Sequence, residues 1–190
     1  MTEAVFETNL SGLLYRGKVR DTYDIGDDRL LMVASDRISA FDVVMDQPIP
    51  GKGIILTQMS SFWFEVIEHV MPNHVIATVN DDLAMEAVEK NGALLELTPD
   101  LARRAMVIKK ADRIDIECVV RNYIAGSAWA EYRPVGTMNG LSLQPGMRAA
   151  DKFPEPIFTP STRAESGQDM PMTPQEAKDL VGTEMHRILE

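Results

Sequence analysis

The segment "LLYRGKVRDTYDIGDDRLLMVASD", residues 13–36, constrains the fold more than any other part of the chain. It contains three short runs of strand-forming residues, separated by turn residues at Gly17 and at Gly26-Asp27-Asp28. Three strands joined by two short turns are typical of an antiparallel meander. The chain is therefore expected to begin with β structure.

Helices and further strands are expected in the rest of the chain. Apolar residues between Ile55 and Val70 recur at intervals of three and four, which predicts a core helix that ends before Pro72. Residues 133–158 are rich in proline and glycine and are expected to form loop with at most a short hairpin. The other predicted elements are strands over 75–79, 105–109 and 114–121 and a short helix over 81–90. Together these elements predict an α+β protein.

The last predicted helix begins at a capping box formed by Thr173, Pro174 and Glu176. Its apolar stripe continues to Leu189, and no glycine, asparagine or proline follows that residue. We therefore expect one continuous helix up to the last residue, and a natural chain that continues beyond it.

Composition excludes several classes of function. With 19 basic and 29 acidic residues the net charge is −10, which disfavours binding to nucleic acid or to an anionic membrane. No apolar run reaches membrane-spanning length, and the N-terminus lacks the pattern of a secretion signal. The one cysteine, Cys118, cannot form an internal disulfide and is expected to be buried on the apolar face of a strand. We expect a cytoplasmic protein, and an oligomer is compatible with the sequence.

The segment "YRGKVRDTY" places Arg16, Lys18 and Arg20 at every second position around Gly17. In a hairpin this spacing predicts three cations on one face, beside a glycine turn that a phosphate can approach closely. A triphosphate would fit such a site. The alternative is a solvated basic face without a ligand, and the spacing alone leaves both open.

Two polar segments follow, "ASDRISAFDV" over residues 34–43 and "QPIPGKG" over residues 47–53. Such a density of small polar and charged residues is typical of a hydrogen-bonded turn. The functional alternative is a loop that presents acids and hydroxyls, among them Asp36, Ser39 and Asp42, to a polar ligand.

A third candidate site lies in "IDIECVVRNYIAGS", residues 114–127. Alternation predicts a strand with Glu117 and Arg121 on one face, followed by a helix that begins at Gly126 and Ser127. A guanidinium, a hydroxyl and the free amides of a helix N-terminus would then converge on a phosphate or carboxylate. The alternative is a Glu117–Arg121 ion pair with Ser127 as a simple helix cap. The spacing favours neither.

These blocks, together with "PIFTPSTRAESG", resemble in order and spacing the family of SAICAR synthetases, the phosphoribosylaminoimidazole-succinocarboxamide synthases. The resemblance covers nearly the whole chain, and "ECVVRNYIAGS" is its most specific block. It implies a purine-biosynthesis ligase that uses ATP to join L-aspartate to the carboxylate of carboxyaminoimidazole ribonucleotide, with release of ADP and phosphate. It also implies a two-lobed α+β fold related to kinase-like and ATP-grasp architectures. Its glycine-rich antiparallel nucleotide lobe would cover residues 1–110, and the ribonucleotide lobe would begin over 111–190.

The resemblance further implies roles for particular residues. Arg121 and Ser127 would hold the 5′-phosphate of the ribonucleotide, and Ser39 would be a further substrate contact. The carboxylate would be activated as an acyl phosphate, with cations and Mg²⁺ stabilising charge on the transferred group. The metal ligands are unassigned. The residues expected to contact ATP are Arg16, Gly17, Lys18, Arg20, Lys109, Lys110 and Glu117, with a hinge over 109–113 along the adenine, and those expected in catalysis are Asp36, Asp42 and Arg163.

The chain departs from the family pattern in two places. Asp115 stands where a proline is usual before "ECVVR", a change expected to be tolerated at a strand start. The loop "GQDMPMT" replaces a His-Asp-Glu-Asn stretch, which leaves any role of this loop in catalysis or aspartate binding open. The family's second signature, an Asp-x-Lys-x-Glu-Phe-Gly strand with magnesium contacts, is expected beyond Glu190. Two alternative functions stay open: a small-molecule kinase on a related fold, and a nucleotide-binding protein without catalysis.

Overall fold

The computed structural model describes residues 3–41, 43–79, 97–163 and 169–190. The chain forms two compact units, Met1–Asp112 and Arg113–Glu190. Each unit combines antiparallel strands with helices, which confirms the α+β class. The division lies close to the predicted boundary at residue 110, and the ligand of each lobe stays a prediction.

A five-stranded antiparallel sheet forms the first unit. In spatial order its strands are β1 (Leu13–Arg16), β2 (Arg20–Asp24), β3 (Arg29–Ala34), β7 (Ala105–Lys109) and β6 (Val75–Thr78). A separate short hairpin pairs β4 (Ser39–Ala40) with β5 (Val43–Val44). Short turns join β1, β2 and β3, so the predicted meander is confirmed. The helix predicted over 81–90 lies outside the described residues.

One face of the sheet carries the core of the first unit. Alternation along a strand sends every second side chain to the same side. The fully buried apolar side chains on this side are Tyr23, Leu31, Val33, Ala105 and Val107. Helix α2 (Pro99–Ala102) packs against them through Leu101 and Ala102. This core fixes β2 and β3, and with them the hairpin that holds the predicted phosphate contacts.

Helix α1 (Lys52–Ile67) packs on the sheet through small residues. Gly53 and Thr57 are its buried residues, and the Thr57 hydroxyl donates to the Arg104 carbonyl at 3.1 Å. Gly53 permits this approach, because a Cβ at that position would lie 2.6 Å from the Arg104 guanidinium. The prediction that the apolar stripe of this helix lies in the core is wrong. The exposed stripe residues are Ile55, Met59, Phe62, Trp63, Val66 and Ile67.

Two-stranded pairs and three helices form the second unit. The pairs are β8 (Ile116–Glu117) with β13 (Ser161–Thr162), β9 (Val120–Tyr123) with β12 (Lys152–Phe158), and β10 (Thr137–Met138) with β11 (Leu141–Ser142). The helices are α3 (Ser127–Val135), α4 (Pro174–Val181) and α5 (Thr183–Leu189). A buried cluster that includes Ile124, Ala128 and Phe153 packs the start of α3 against β12 and the end of β9.

The predicted strand over 114–121 is two strands, β8 and β9, which pair with different partners. At the break, the Val119 carbonyl accepts hydrogen bonds from both the amide and the hydroxyl of Thr159. Alternation therefore does not continue across residues 118 and 119. Cys118 is exposed as a result, and the prediction that it is buried is wrong.

β12 lies in the stretch 133–158 that was expected to be mainly loop. Its pairing with β9 shifts register between Lys152 and Ile157. Pro154 and Pro156 fall inside this irregular stretch, where a missing amide donor interrupts no regular ladder. Proline content is therefore a poor guide to structure in this segment.

The C-terminal helix is interrupted, contrary to prediction. Gly182 separates α4 from α5 and has φ 80° and ψ 162°, a conformation that glycine adopts readily and that ends a helix. The predicted capping box is present, with the Thr173 and Glu176 side chains each accepting the other's backbone amide. The local sequence thus predicts the start of this segment, whereas the backbone conformation of Gly182 divides it.

Candidate functional site

The hairpin between β1 and β2 carries the residues predicted to bind ATP phosphates. The Gly17 amide donates to the Arg20 carbonyl at 2.7 Å, so residues 17–20 form a tight turn. Lys18 is exposed within this turn rather than in a strand. The direction of its side chain is therefore not set by strand alternation.

Arg16 and Arg20 project from opposite faces of the sheet. Arg16 is in register with Asp21, and its guanidinium contacts the Glu7 carboxylate at 3.0 Å. Arg20 precedes Asp21 by one residue and points to the other face, where its guanidinium lies 3.3 Å from the Met32 sulfur. The prediction of three cations on one face is therefore wrong, because the turn interrupts the alternation between the two arginines.

Lys52, the first residue of α1, lies near Arg20 and was not among the predicted site residues. Gly53 packs against the Ala34 carbonyl, and Ala34 is the cross-strand partner of Arg20. Burial lowers the pKa of Lys52. The Asp36 carboxylate acts in the opposite direction, and the nearby Arg20 guanidinium lowers the pKa further. Within the described part of the chain, neither cation has a carboxylate at ion-pair distance. Two neighbouring cations that are not ion-paired with a described carboxylate favour an anionic ligand. The glycines that flank Lys52 were the available sequence signal.

Asp36 is fully buried. Its carboxylate accepts hydrogen bonds from the Arg104 guanidinium at 2.8 Å, the Gly53 amide at 2.8 Å and the Val5 amide at 2.9 Å. Burial acts to raise the pKa of Asp36, but these hydrogen bonds outweigh it and hold the pKa below its ordinary value. The carboxylate therefore joins three segments of the first unit, and its catalytic role stays a prediction.

The other predicted residues of the first unit lie outside this arrangement. Ser39 is half-buried in β4, and Asp42 lies outside the described residues. Lys109 and Lys110 are exposed at the end of β7, and the Lys110 ammonium is 3.5 Å from the Asp24 carboxylate. Their roles stay predictions.

Arg121 and Ser127 come together in the second unit, as predicted. The Arg121 guanidinium donates to the Ser127 hydroxyl at 3.1 Å and to the Thr159 hydroxyl at 3.2 Å. Ser127 is the first residue of α3, and Gly126 before it provides no side-chain cap. A planar cation, two hydroxyls and helix N-terminal amides therefore converge, which suits a phosphate or carboxylate. No local pattern predicts Thr159, which is 38 residues away from Arg121.

The alternative ion pair between Glu117 and Arg121 is not found among the residues that the structure describes. The Glu117 carboxylate instead accepts a hydrogen bond from the Ser161 hydroxyl at 3.4 Å. Arg163 is exposed, and its guanidinium lies 3.5 Å from the Asp169 carboxylate. The predicted roles of Glu117 in ATP binding and of Arg163 in catalysis stay predictions.

A cavity of about 460 Å³ lies beside Ser127 in the second unit. Its lining includes Glu131, whose carboxylate accepts the Asn139 amide at 3.1 Å. It also includes Glu176, whose pKa is lowered by the hydrogen bond from the Thr173 amide. Both carboxylates are thus held by backbone amides, and the cavity adjoins the Arg121–Ser127 anion site.

Over the ranges 3–41, 43–79, 97–163 and 169–190, no group of three or more histidine, cysteine, aspartate or glutamate side chains is placed to hold a metal ion. In the same ranges no helix is long and apolar enough to cross a lipid bilayer.

Comparison with known proteins gives consistent results. The SAICAR synthetase family matches residues 13–190. A phosphoribosylaminoimidazole-succinocarboxamide synthase from Pelobacter propionicus is 47% identical over 189 residues, which cover 97% of this chain and 61% of that protein. The SAICAR synthase of Saccharomyces cerevisiae, solved in complex with SAICAR, is 39% identical with a TM-score of 0.85, over 98% of this chain and 62% of that one. A SAICAR synthetase in complex with ADP shares the fold at 24% identity and a TM-score of 0.64, over 92% of this chain and 61% of that one.

The chain spans 61% of the length of the first of these relatives. The match extends over both units and does not favour the kinase or the non-catalytic alternative. The chain belongs to the SAICAR synthetase family.

Proposed function

We propose that this chain provides the nucleotide-phosphate and ribonucleotide-phosphate contacts of an ATP-dependent carbon–nitrogen ligase of purine biosynthesis. The reaction joins L-aspartate to carboxyaminoimidazole ribonucleotide and yields SAICAR, ADP and phosphate. The contact of 3.1 Å between Arg121 and Ser127 at the start of α3 is the observation that carries the proposal. The SAICAR complex of the yeast relative and the ADP complex of a more distant one support it. The single cysteine is compatible with a reducing cytoplasm, which is the proposed location.

The 5′-phosphate of the ribonucleotide is assigned to Arg121 and Ser127. The guanidinium is held from two sides by the hydroxyls of Ser127 and Thr159, so its orientation is fixed before a ligand arrives. A fixed guanidinium forms two parallel hydrogen bonds to a phosphate without further ordering. The N-terminal amides of α3 add favourable partial positive charge. The adjoining cavity of about 460 Å³ offers room for a further part of the ligand.

The ATP phosphates are assigned to the first unit. Lys18 in the turn and the neighbouring pair Arg20 and Lys52 supply positive charge there. A phosphate chain at this position would offset the repulsion that contributes to the low pKa of Lys52. The adenine is assigned to the segment 109–113, which begins at the last residue of β7.

The chemistry requires activation of a carboxylate. One carboxylate oxygen of the ribonucleotide attacks the γ-phosphorus of ATP, ADP leaves, and an acyl phosphate forms. The amine of aspartate then attacks the acyl carbon, phosphate leaves with that oxygen, and the nitrogen releases a proton. Cations stabilise charge on the transferred group, and we assign Arg163 to this role, with the carboxylates of Asp36 and Asp42 as further proposed catalytic groups. Magnesium held between the ATP phosphates would supply further positive charge; its protein ligands are unassigned, and no step is assigned to it.

The test is aspartate-dependent release of ADP, measured on the protein as its gene encodes it. ADP and SAICAR should appear in equal amounts, and only when ATP, aspartate and the ribonucleotide are all present. A small-molecule kinase would release ADP without aspartate, and a non-catalytic binding protein would release none. Either of these outcomes refutes the ligase proposal.

A further inference from the structure

Arg37 is a buried arginine whose guanidinium faces the hairpin turn from inside the first unit. It donates to the Gly17 carbonyl at 2.8 Å and to the Lys18 carbonyl at 3.1 Å. It also donates to the Phe6 carbonyl. Its charge is balanced by the buried Asp21 carboxylate at 2.7 Å. Two of its five N–H donors are therefore used on the backbone of the turn.

Ser35 donates to the next carbonyl of the turn, that of Val19. Its amide and its hydroxyl both donate to the Val19 carbonyl, at 3.0 and 2.9 Å. Three successive carbonyls, those of residues 17, 18 and 19, are therefore turned toward the segment 35–37. In a trans peptide the carbonyl and the following N–H point in opposite directions. The amides of residues 18, 19 and 20 are thus directed away from Ser35 and Arg37.

Successive amides pointing to one side form a concave surface that attracts anions. A turn of this kind holds its shape only while its carbonyls have donors, because an unsatisfied buried carbonyl favours rotation of the peptide toward another partner. Arg37 supplies two of these donors from one rigid, planar group. A lysine at this position has a single ammonium and cannot reproduce the fork.

We propose that Arg37 is a positioning residue that holds the turn over residues 17–19 in the conformation that binds the phosphates of ATP. The inference rests on the proposed function of this turn. Arg37 itself contacts no ligand, since its donors face protein carbonyls and Asp21. Its contribution is to orient the amides and the Lys18 side chain before ATP binds.

The test compares the affinities of ATP and adenosine by titration calorimetry, on the full-length protein and its variants. Arg37→Lys should weaken ATP binding about ten- to a hundredfold, as expected for a misplaced binding group, and leave adenosine binding within about twofold. Ser35→Ala removes one donor and keeps the amide donor, so a smaller loss for ATP is expected. Arg103→Lys is the control. Arg103 pairs with Asp100 at 3.3 Å at the surface of the same unit, and no part in ATP binding is assigned to it.

Arg103→Lys should leave both affinities, and therefore the ratio of ATP to adenosine affinity, unchanged. Equal losses for ATP and adenosine in Arg37→Lys would overturn the inference, as would an equal change of this ratio in the Arg103 control. If Arg37→Lys does not fold, Ser35→Ala decides: an unchanged ratio overturns the inference. The proposed function fails separately, if the unsubstituted protein binds ATP no more tightly than adenosine.

Discussion

Replacement of Arg121 by lysine tests the 5′-phosphate site while keeping the charge. In the structure the guanidinium donates to the Thr159 hydroxyl at 3.2 Å and to the Ser127 hydroxyl at 3.1 Å. A lysine ammonium is a point donor at the end of a flexible chain, so it cannot contact both hydroxyls and present two parallel donors to a phosphate. The expected result is a loss of ribonucleotide affinity without a loss of net charge.

The size of this loss follows from the number of contacts removed. Loss of one charge-assisted hydrogen bond to a phosphate costs roughly 1.5–3 kcal/mol. Since 1.4 kcal/mol corresponds to a factor of ten, the affinity should fall roughly 10- to 150-fold. ATP affinity should stay unchanged, because the contacts assigned to its phosphates lie in the first unit.

The measurement is calorimetric titration with the ribonucleotide, with its dephosphorylated nucleoside and with ATP. Arg133→Lys is the matched control, because Arg133 is exposed in the last turn of α3 and should leave all three affinities unchanged. The phosphate assignment is refuted if the unsubstituted protein binds the nucleoside as tightly as the nucleotide. It is also refuted if Arg121→Lys weakens ATP and ribonucleotide binding equally.

Three further predictions address the first unit. Lys18→Ala should weaken ATP binding by roughly 1.5–3 kcal/mol and ribonucleotide binding by less; equal weakening of the two in titrations would count against the assignment. Gly53→Ala should lower the free energy of unfolding by about 1–3 kcal/mol, because the new Cβ would collide with the Ala34 carbonyl and lie 2.6 Å from the Arg104 guanidinium. Helix propensity alone favours alanine by about 1 kcal/mol, so an unchanged or higher denaturation midpoint would refute this packing. Asp36→Asn should cost about 3–5 kcal/mol at neutral pH, since Arg104 loses its partner charge. Folding lowers the pKa of Asp36. The ionised carboxylate therefore stabilises the folded protein fully above about pH 4, and this stabilisation is lost as the pH falls through the pKa of Asp36 in the folded protein. The difference in unfolding free energy between the unsubstituted protein and Asp36→Asn, measured by denaturant titration at several pH values, should therefore become smaller in acid. A difference that stays constant with pH would contradict this prediction.

The features that could be predicted from sequence are local ones. The meander follows from two turns inside a 24-residue segment, and Arg121 and Ser127 meet because they are six residues apart across a strand-to-helix transition. Where contacts between residues far apart in the chain decide the structure, the local pattern gave wrong predictions. Val119 bonds to Thr159, 40 residues later, which breaks the predicted strand and exposes Cys118. The side of α1 that packs on the sheet is decided by a close approach at Gly53, which an apolar stripe does not reveal.

The same limit applies to Asp36 and Arg37, which look like ligand-binding residues in a polar loop. Each has a buried partner of opposite charge far along the chain, Arg104 for Asp36 and Asp21 for Arg37. The partner of Asp36 is 68 residues away. A pattern confined to ten residues cannot distinguish a buried pair of this kind from an exposed catalytic group.

The buried ion pairs of Asp36 and Arg37 change how activity measurements on variants of these two residues should be interpreted. Asp36 joins the start of α1 to the N-terminal segment through the amides of Gly53 and Val5, whereas Arg37 holds the hairpin turn. Removing one partner of a buried pair leaves an uncompensated charge that costs about 3–5 kcal/mol, a large part of the stability of a domain. Loss of activity in an Asp36 variant would therefore follow from unfolding even if its carboxylate took no part in catalysis. A catalytic role requires that turnover falls while the folded fraction and the affinities for ATP and ribonucleotide are unchanged. A positioning role for Arg37 requires that phosphate-dependent affinity falls while the protein stays folded.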